Sequence, residues 1–371
     1  MKQLLQWISL KNTRGIGNHL IKKLIDRFHT PEAVCNAPIP ELVRISGISH
    51  ALARSIRQKQ INDQERKELD HTLAKGIRIV TMTDEGYPPL LLHIPDPPPL
   101  LYVQGSLDRS DVHVAIVGSR NATRYGISSA IHLSRELVQH GLSIVSGMAR
   151  GIDTAAHQGA VDIPNGRTIA VLGSGIDVIY PPENKKLFQK ITESGAVVSE
   201  FPLGTRPEPY HFPLRNRIIC GMSVGTIVVE AALKSGSLIT ARLAADQGRE
   251  VFAVPGSIHS FRSSGTHSLL KQGAKLVENA MDVLEEIQPF LAAAGLNRGC
   301  QPAAVPQKKQ PALDSDETIV FKALESYPVH IDDIIRSTGV EPGKLAGILL
   351  KLELEGMATQ LPGKYFACRE D

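Results

Sequence analysis

Cysteine is scarce. The chain of 371 residues has four, Cys35, Cys220, Cys300 and Cys368, far apart, with no C-x-x-C pair and no Cys/His cluster. Neither a disulfide framework nor a structural zinc site is expected from that spacing. Aromatic residues make up only 5% of the chain, so platforms for stacking are few. No apolar run approaches the roughly 20 residues that a membrane span needs. The opening MKQLLQWISLKNTRGIG also lacks a long apolar core followed by a small-residue cleavage site. The expectation is a thiol-reduced, metal-free cytoplasmic protein with no membrane association.

Several enzyme signatures are missing as well. A P-loop needs G-x-x-x-x-G-K-[ST], yet the two Gly-Lys pairs, Gly343-Lys344 and Gly363-Lys364, are followed by Leu345 and Tyr365. A dinucleotide fold calls for G-x-G-x-x-G after its first strand and an acidic residue about 20 positions on. Here the first loop is GSRNATRYG and the next strand ends in Val145-Ser146. Gly221-Met222-Ser223-Val224-Gly225 fits G-x-S-x-G, but it follows a helical pattern and precedes a strand, the reverse of a nucleophile elbow. His157 and His211 stand in no partnered motif, so no catalytic residue and no cofactor is assigned.

What is present is an uneven charge. Residues 1–75 hold 13 Lys+Arg and 7 Asp+Glu, residues 76–314 hold 22 and 21, and residues 315–371 hold 6 and 10, giving +6, +1 and −4, which sum to the net +3 of the chain. The basic head carries two helix-turn-helix patterns, Thr13 to Phe28 and Leu42 to Arg57, each with glycine in a tight turn. Such turns let backbone N–H groups approach phosphate, with Arg14, Lys22, Lys23, Arg54 and Arg57 alongside. A plain helical bundle with a solvated basic face fits the same pattern. NRGCQPAAVPQKKQP, residues 297–311, reads as a linker. The tail, 312–371, reads as three helices and a hairpin, a winged helix. Its stripe is Leu345, Ile348, Leu349 and Leu352.

Between them, residues 76–296 alternate short β-branched runs (HVAIVG, LSIVSG, TIAVLG, AVVSEF, TIVVEA, EVFAVPG, KLV) with helical patterns. Continuous apolar strands imply a mostly parallel, doubly wound, Rossmann-like α/β sheet covered on both faces. Pro88, Pro89 and the prolines from Pro95 to Pro99 argue against helix and for extended segments that enlarge the sheet. Glycine loops then fall at the carboxyl edge of the strands: Gly118-Ser119-Arg120, Ser146-Gly147-Met148-Ala149-Arg150-Gly151, Gly173-Ser174-Gly175 and Ser235-Gly236-Ser237. Backbone N–H groups and helix N-termini at that edge favour anions, and the forks of Arg120 and Arg150 suit phosphate. Lys185, Lys186 and Phe188 fall in the first turn of a helix at the same edge. They offer charge and an aromatic face, although Phe188 on an amphipathic helix is equally consistent with core.

The strings VAIVGSRNATRYG, GLSIVSGMARGIDTAAHQGA, TIAVLGSGIDVIYPPENKKL, VSEFPLG, FPLRNRIICGMS, VVEAALKSGSLITARLAADQGREVFAVPG and GTHSLLKQGAKLV together resemble the DNA-processing protein A family (DprA, also called Smf) over about residues 76–290. The head resembles SAM-like or helix-hairpin-helix accessory domains, and the tail a winged helix. The resemblance implies a non-catalytic homodimer, paired through roughly residues 266–277. Such a protein binds single-stranded DNA, protects incoming DNA and helps to load the RecA recombinase in natural transformation. The DNA and phosphate contacts expected within these blocks are Gly118, Ser119, Arg120, Ser146, Gly147, Arg150, Gly173, Ser174, Lys185, Lys186, Phe188, Arg215, Asn216, Arg217, Ser237 and Thr240. The alternative is a nucleotide-binding or LOG-like nucleotide phosphoribohydrolase module using Glu230, Arg150 and Asp153. Its P-G-G-x-G-T signature is replaced here by Ala253-Val254-Pro255-Gly256-Ser257, and Glu230 reads equally as a carboxylate paired with Arg215 or Arg217. A third option is a duplex-binding protein acting through the head.

Overall fold

The computed structural model describes residues 1–293, 314–324, 328–355 and 357–368; the expected linker at 297–311 lies outside them. The chain divides into two compact units, Met1–Gln301 and Pro302–Asp371. In the first, the head comprises α1 (Lys2–Lys11), α2 (Asn18–Phe28), α3 (Pro31–Asn36), α4 (Ile39–Val43), α5 (His50–Gln58) and α6 (Asp63–Ala74). Gly15 and Gly47 take positive φ in the turns that open α2 and α5. A Cβ on Gly15 would lie 3.4 Å from Leu52 and one on Gly47 2.9 Å from Leu20, so each turn packs against the helix that the other begins.

Two strands follow, β1 (Arg78–Thr81) and β2 (Leu100–Gly105). Next come β3 (His113–Val117), α7 (Arg124–Gln139), β4 (Ser143–Ser146), α8 (Ile152–Val161), β5 (Thr168–Val171), α9 (Lys185–Ser194), β6 (Ala196–Ser199), α10 (His211–Met222), β7 (Gly225–Val228), α11 (Gly236–Asp246), β8 (Glu250–Ala253), α12 (Ser264–Lys271), β9 (Lys275–Leu276) and α13 (Ala280–Ala293). Among the described residues they form one nine-stranded sheet in the order β1-β2-β6-β5-β4-β3-β7-β8-β9. Strands β3 to β9 pair in parallel, while β1 and β2 add an antiparallel extension at the β6 edge. The proline-rich stretch before β2 is not extended throughout, because Pro89–His93 forms a 3-10 turn. Proline is tolerated at the first position of a helix, where its missing N–H would have no intrahelical partner.

The strands are apolar on both faces because both are covered. One face, with β1, β2, β5, β6 and α9, shares an apolar cluster with the head, including fully buried Trp7, Leu24 and Ile56. The other packs under α7, α8 and α13. Polar contacts also tie the head to the sheet: Lys11 Nζ donates to the Glu200 carbonyl at 2.7 Å, and the Tyr102 hydroxyl donates to Glu68. Burial lowers the Lys11 ammonium's pKa, with Glu200 and Glu68 opposing.

The second unit contains α14 (Ser315–Ala323), β10 (Val329–His330), α15 (Ile331–Thr338), α16 (Pro342–Leu354), β11 (Ala358–Leu361) and β12 (Tyr365–Cys368). The strands run in the order β10-β12-β11, a winged helix around Leu345, Leu349, Leu352 and Phe366. No helix among the described residues is long and apolar enough to cross a membrane.

Candidate functional site

Strand order places a topological switch at the middle of the sheet. From β3 the chain first proceeds to β4 and β5 on one side, then returns to β7 and β8 on the other. The loops after β3 and β7 therefore diverge and leave a crevice at the carboxyl edge, where open α/β sheets bind ligands. A cavity of about 780 Å³ lies there. Gly118, Ser119 and Arg120 line it from the β3 loop, Arg215 and Asn216 from α10, and Ser237 and Thr240 from α11. A smaller cavity, about 180 Å³, adjoins it with Gly147, Arg150, Gly173 and Ser174 in its wall, and the two share Arg120, Asn121, Ala149, Tyr180 and Phe212.

Arg215 is the buried cation of this site. It is only 4% exposed, its Nη1 donates to the Val171 carbonyl at 2.6 Å, and its Nε has no partner among the described residues. Burial pulls the guanidinium pKa down to about 10, with Asp153 opposing and Arg120 assisting, so it keeps its proton at neutral pH. Asp153, also buried, accepts from the Ala149 N–H at 3.3 Å, and burial raises its pKa against the pull of Arg215. Space for the guanidinium exists because residue 147 has no side chain: a Cβ there would stand 1.8 Å from Arg215 Nη1. Gly151 serves a similar end. At φ +74 its Cα passes so close to the β3 loop that a Cβ would meet the Ser119 carbonyl oxygen at 2.3 Å.

Above the buried cation the cavity carries exposed ones. The Arg120 guanidinium lies 5.2 Å from the Phe212 ring centroid and Arg215 lies 5.9 Å from it, both within cation–π range. Tyr180 sits 6.0 Å from the same ring. Helix α11 points its N-terminus at the cavity. Its Ser235 cap accepts from the Ser237 N–H, and the positive end of the helix dipole adds to the field. Arg150 is exposed and pairs with Glu183 at 2.5 Å. Among the described residues no three His, Cys, Asp or Glu converge as a metal site would require.

The other expected residues lie outside both cavities. Phe188 is 5% exposed and joins Leu187 and Ile191 in the sheet core, so it cannot present a ring to a ligand. Phe188→Ala is expected to cost about 3–5 kcal/mol of stability while folded protein binds its ligand normally, which denaturant melts and binding titrations will separate. Lys185 and Lys186 are exposed on the first turn of α9 but line neither cavity. Ser146 is buried and donates to the Ile116 carbonyl at 2.6 Å, a strand-to-strand tie. Arg217, 6% exposed, turns away from the cavity into ion pairs with Glu200 and Asp96. Glu230 pairs with neither arginine. Its carboxylate accepts from the Thr123 N–H at 2.9 Å and from the Thr123 hydroxyl, which fixes the start of α7. His157 is fully buried with Nδ1 2.7 Å from the Thr168 hydroxyl oxygen, and its pKa is pulled by burial to about 3. Asn121, Tyr180, Phe212 and Lys234 escaped the sequence reading. Of these only Lys234 left a local signal, a cation immediately before the Ser-Gly-Ser turn.

The family model described as DNA recombination-mediator protein A matches residues 78–288, a DprA winged helix domain matches 303–364, and a SAM-like helix-hairpin-helix tandem matches 8–59. The chain is 34% identical to Protein Smf of Synechocystis sp. over 98% of its own length and 98% of that protein's. DNA processing protein A (DprA) from Streptococcus pneumoniae has a solved structure similar to this one at TM-score 0.66 and 40% identity, covering 75% of this chain and 95% of that one. The corresponding figures for DNA processing protein A from Helicobacter pylori, solved for its single-stranded DNA binding mode, are 0.52, 32%, 57% and 97%.

Proposed function

The chain belongs to the DNA recombination-mediator protein A family, and from that premise we propose that it binds single-stranded DNA in the crevice between the β3 and β7 loops. The observation that carries this reading is the stacked set of cations in one cavity, with Arg215 buried at its floor and Arg120 and Lys234 exposed in its wall. Single-strand binding without sequence preference needs cations along the backbone and an aromatic face for bases. Phe212 and Tyr180, flanked by Arg120, supply the second requirement that Phe188 does not. Arg120→Ala is expected to weaken binding of a single-stranded oligonucleotide by about 1–3 kcal/mol and to lower the salt slope by about one ion. Unchanged affinity at low salt in a folded variant would overturn the assignment.

We further propose, on the strength of the family resemblance alone, that the protein protects incoming DNA in the cytoplasm and helps to load the RecA recombinase. Homodimerisation through residues 266–277 is supported by β9, which ends the sheet with Leu276 47% exposed. The winged helix is not the main DNA contact. Lys344 and Lys351 on α16, the helix that would enter a groove, are paired with Asp316 and Glu317 of α14. The reading is one of binding without turnover, supported by the engagement of Glu230 with Thr123. Release of free base from nucleoside monophosphates would favour the hydrolase reading instead.

A further inference from the structure

The loops on one side of the crevice have no acidic residues over long stretches. Neither Asp nor Glu occurs from Gly118 to Arg135, from Ala231 to Ala245 or from Val251 to Val277, whereas Arg120, Arg124, Lys234, Arg242 and Arg262 do. These segments are contiguous in space as well as alike in charge. The Ala231 N–H donates to the Arg262 carbonyl at 2.9 Å, the Gly265 N–H donates to the Ala231 carbonyl at 2.7 Å, and the Tyr125 hydroxyl donates to the Pro255 carbonyl at 2.8 Å. The segment after β8 is thus fastened to the β7 loop that walls the cavity and to the start of α7. It also carries two large apolar side chains in water only three positions apart, Ile258 at 83% and Phe261 at 75% exposure. Neither lines the cavity.

Proteins that bind single strands combine a cationic track with aromatic platforms, and those built on OB folds cover about 4–16 nucleotides per fold. A cavity of about 780 Å³ encloses a ligand-sized group, so most of such a strand must run outside it. Resting on the reading above, we propose that the strand leaves the cavity over Lys234 and crosses the segment from Pro255 to Ser263, where Phe261 stacks on a nucleobase beside Ile258 and Arg262 faces the backbone. The acid-free rim makes this exit the electrostatically favoured one, and an exposed ring on a cationic track is what a base needs.

The chain contains a single tryptophan, Trp7, which is fully buried, so Phe261→Trp in the full-length protein gives a reporter over a constant background. Titration with oligothymidylate of about 16 nucleotides is expected to quench this emission in step with the anisotropy of a labelled copy of the same strand. Phe261→Ala is expected to lower affinity for that strand by roughly 5- to 100-fold with its melting temperature unchanged, and Phe261→Tyr to restore it. If anisotropy shows normal binding while the emission of the Phe261→Trp variant stays constant, the exit path is wrong and the cavity reading stands. If the emission responds to protein concentration alone, a second copy covers the ring and the proposal falls. If the wild-type protein binds no single strand, both readings fail.

Discussion

Gly147→Ala is expected to reduce single-strand affinity by about 10- to 100-fold, the combined effect of lost charge-assisted hydrogen bonds to phosphate. The substitution adds one methyl group and removes no charge. That methyl would lie 1.8 Å from Arg215 Nη1, 2.3 Å from its Cζ and 2.6 Å from Nη2. The guanidinium must therefore move, and in moving it gives up the Val171 carbonyl and its place at the cavity floor. Overpacking of this kind also costs about 1–3 kcal/mol of stability, too little to unfold most domains. Because the two residues are in contact, their effects are not additive. Gly147→Ala on top of Arg215→Gln should weaken binding far less than it does alone, measured as a double-mutant cycle by fluorescence anisotropy. Additive losses would mean that Gly147 acts on the strand by itself.

Arg217→Ala is expected to do the opposite, destabilising by about 3–5 kcal/mol, the cost of leaving a buried charge without its partner. The orphan would be Glu200, itself 8% exposed, whose side chain accepts from Arg217 and from Asn18 of α2. Its carbonyl also receives Lys11, so loss of Arg217 loosens the head where it packs on the sheet. Against a total stability of about 5–15 kcal/mol this is a large fraction. Replacing both partners, Arg217→Met with Glu200→Leu, should recover much of it, since paired apolar residues often substitute well for a buried ion pair. Denaturant melts read the stability and limited proteolysis reads the head. The folded fraction should bind DNA with wild-type affinity; selective loss of binding with normal stability would return Arg217 to the DNA site.

Arg215 and Arg217 show where the sequence stops being informative. Both stand in FPLRNRIIC, and each is a guanidinium near a predicted phosphate edge. Two positions along a helix is about 200° around it, so one faces the cavity and the other Glu200 and Asp96, and only the placement of α10 decides which. Phe188 failed for a related reason. Leu187, Phe188 and Ile191 form the buried face of α9, and a position in the first turn at the ligand edge says nothing of the direction in which the ring points. The strands were readable because continuous Val/Ile runs have few alternatives to a parallel sheet covered on both faces. The glycine loops were readable because a carboxyl-edge position follows from strand direction alone. Phe212 and Tyr180 were not, since one opens α10 and the other lies in the loop before α9, and they meet only after the chain has folded. Glu230 reads in the sequence as a catalytic carboxylate or as the partner of Arg215 or Arg217, and nothing local marks it as the anchor of Thr123, a residue 107 positions away.

Competition between a labelled single-stranded oligonucleotide and unlabelled duplex of the same sequence, followed by anisotropy at low salt, shows whether the crevice selects unpaired strands. The crevice has an arginine at its floor, and its rings would stack on an unpaired base. A single-stranded competitor should therefore displace the probe at far lower concentration than the duplex. Duplex that competes as well as single strand would overturn the crevice assignment and move the contact to the paired glycine turns of the head.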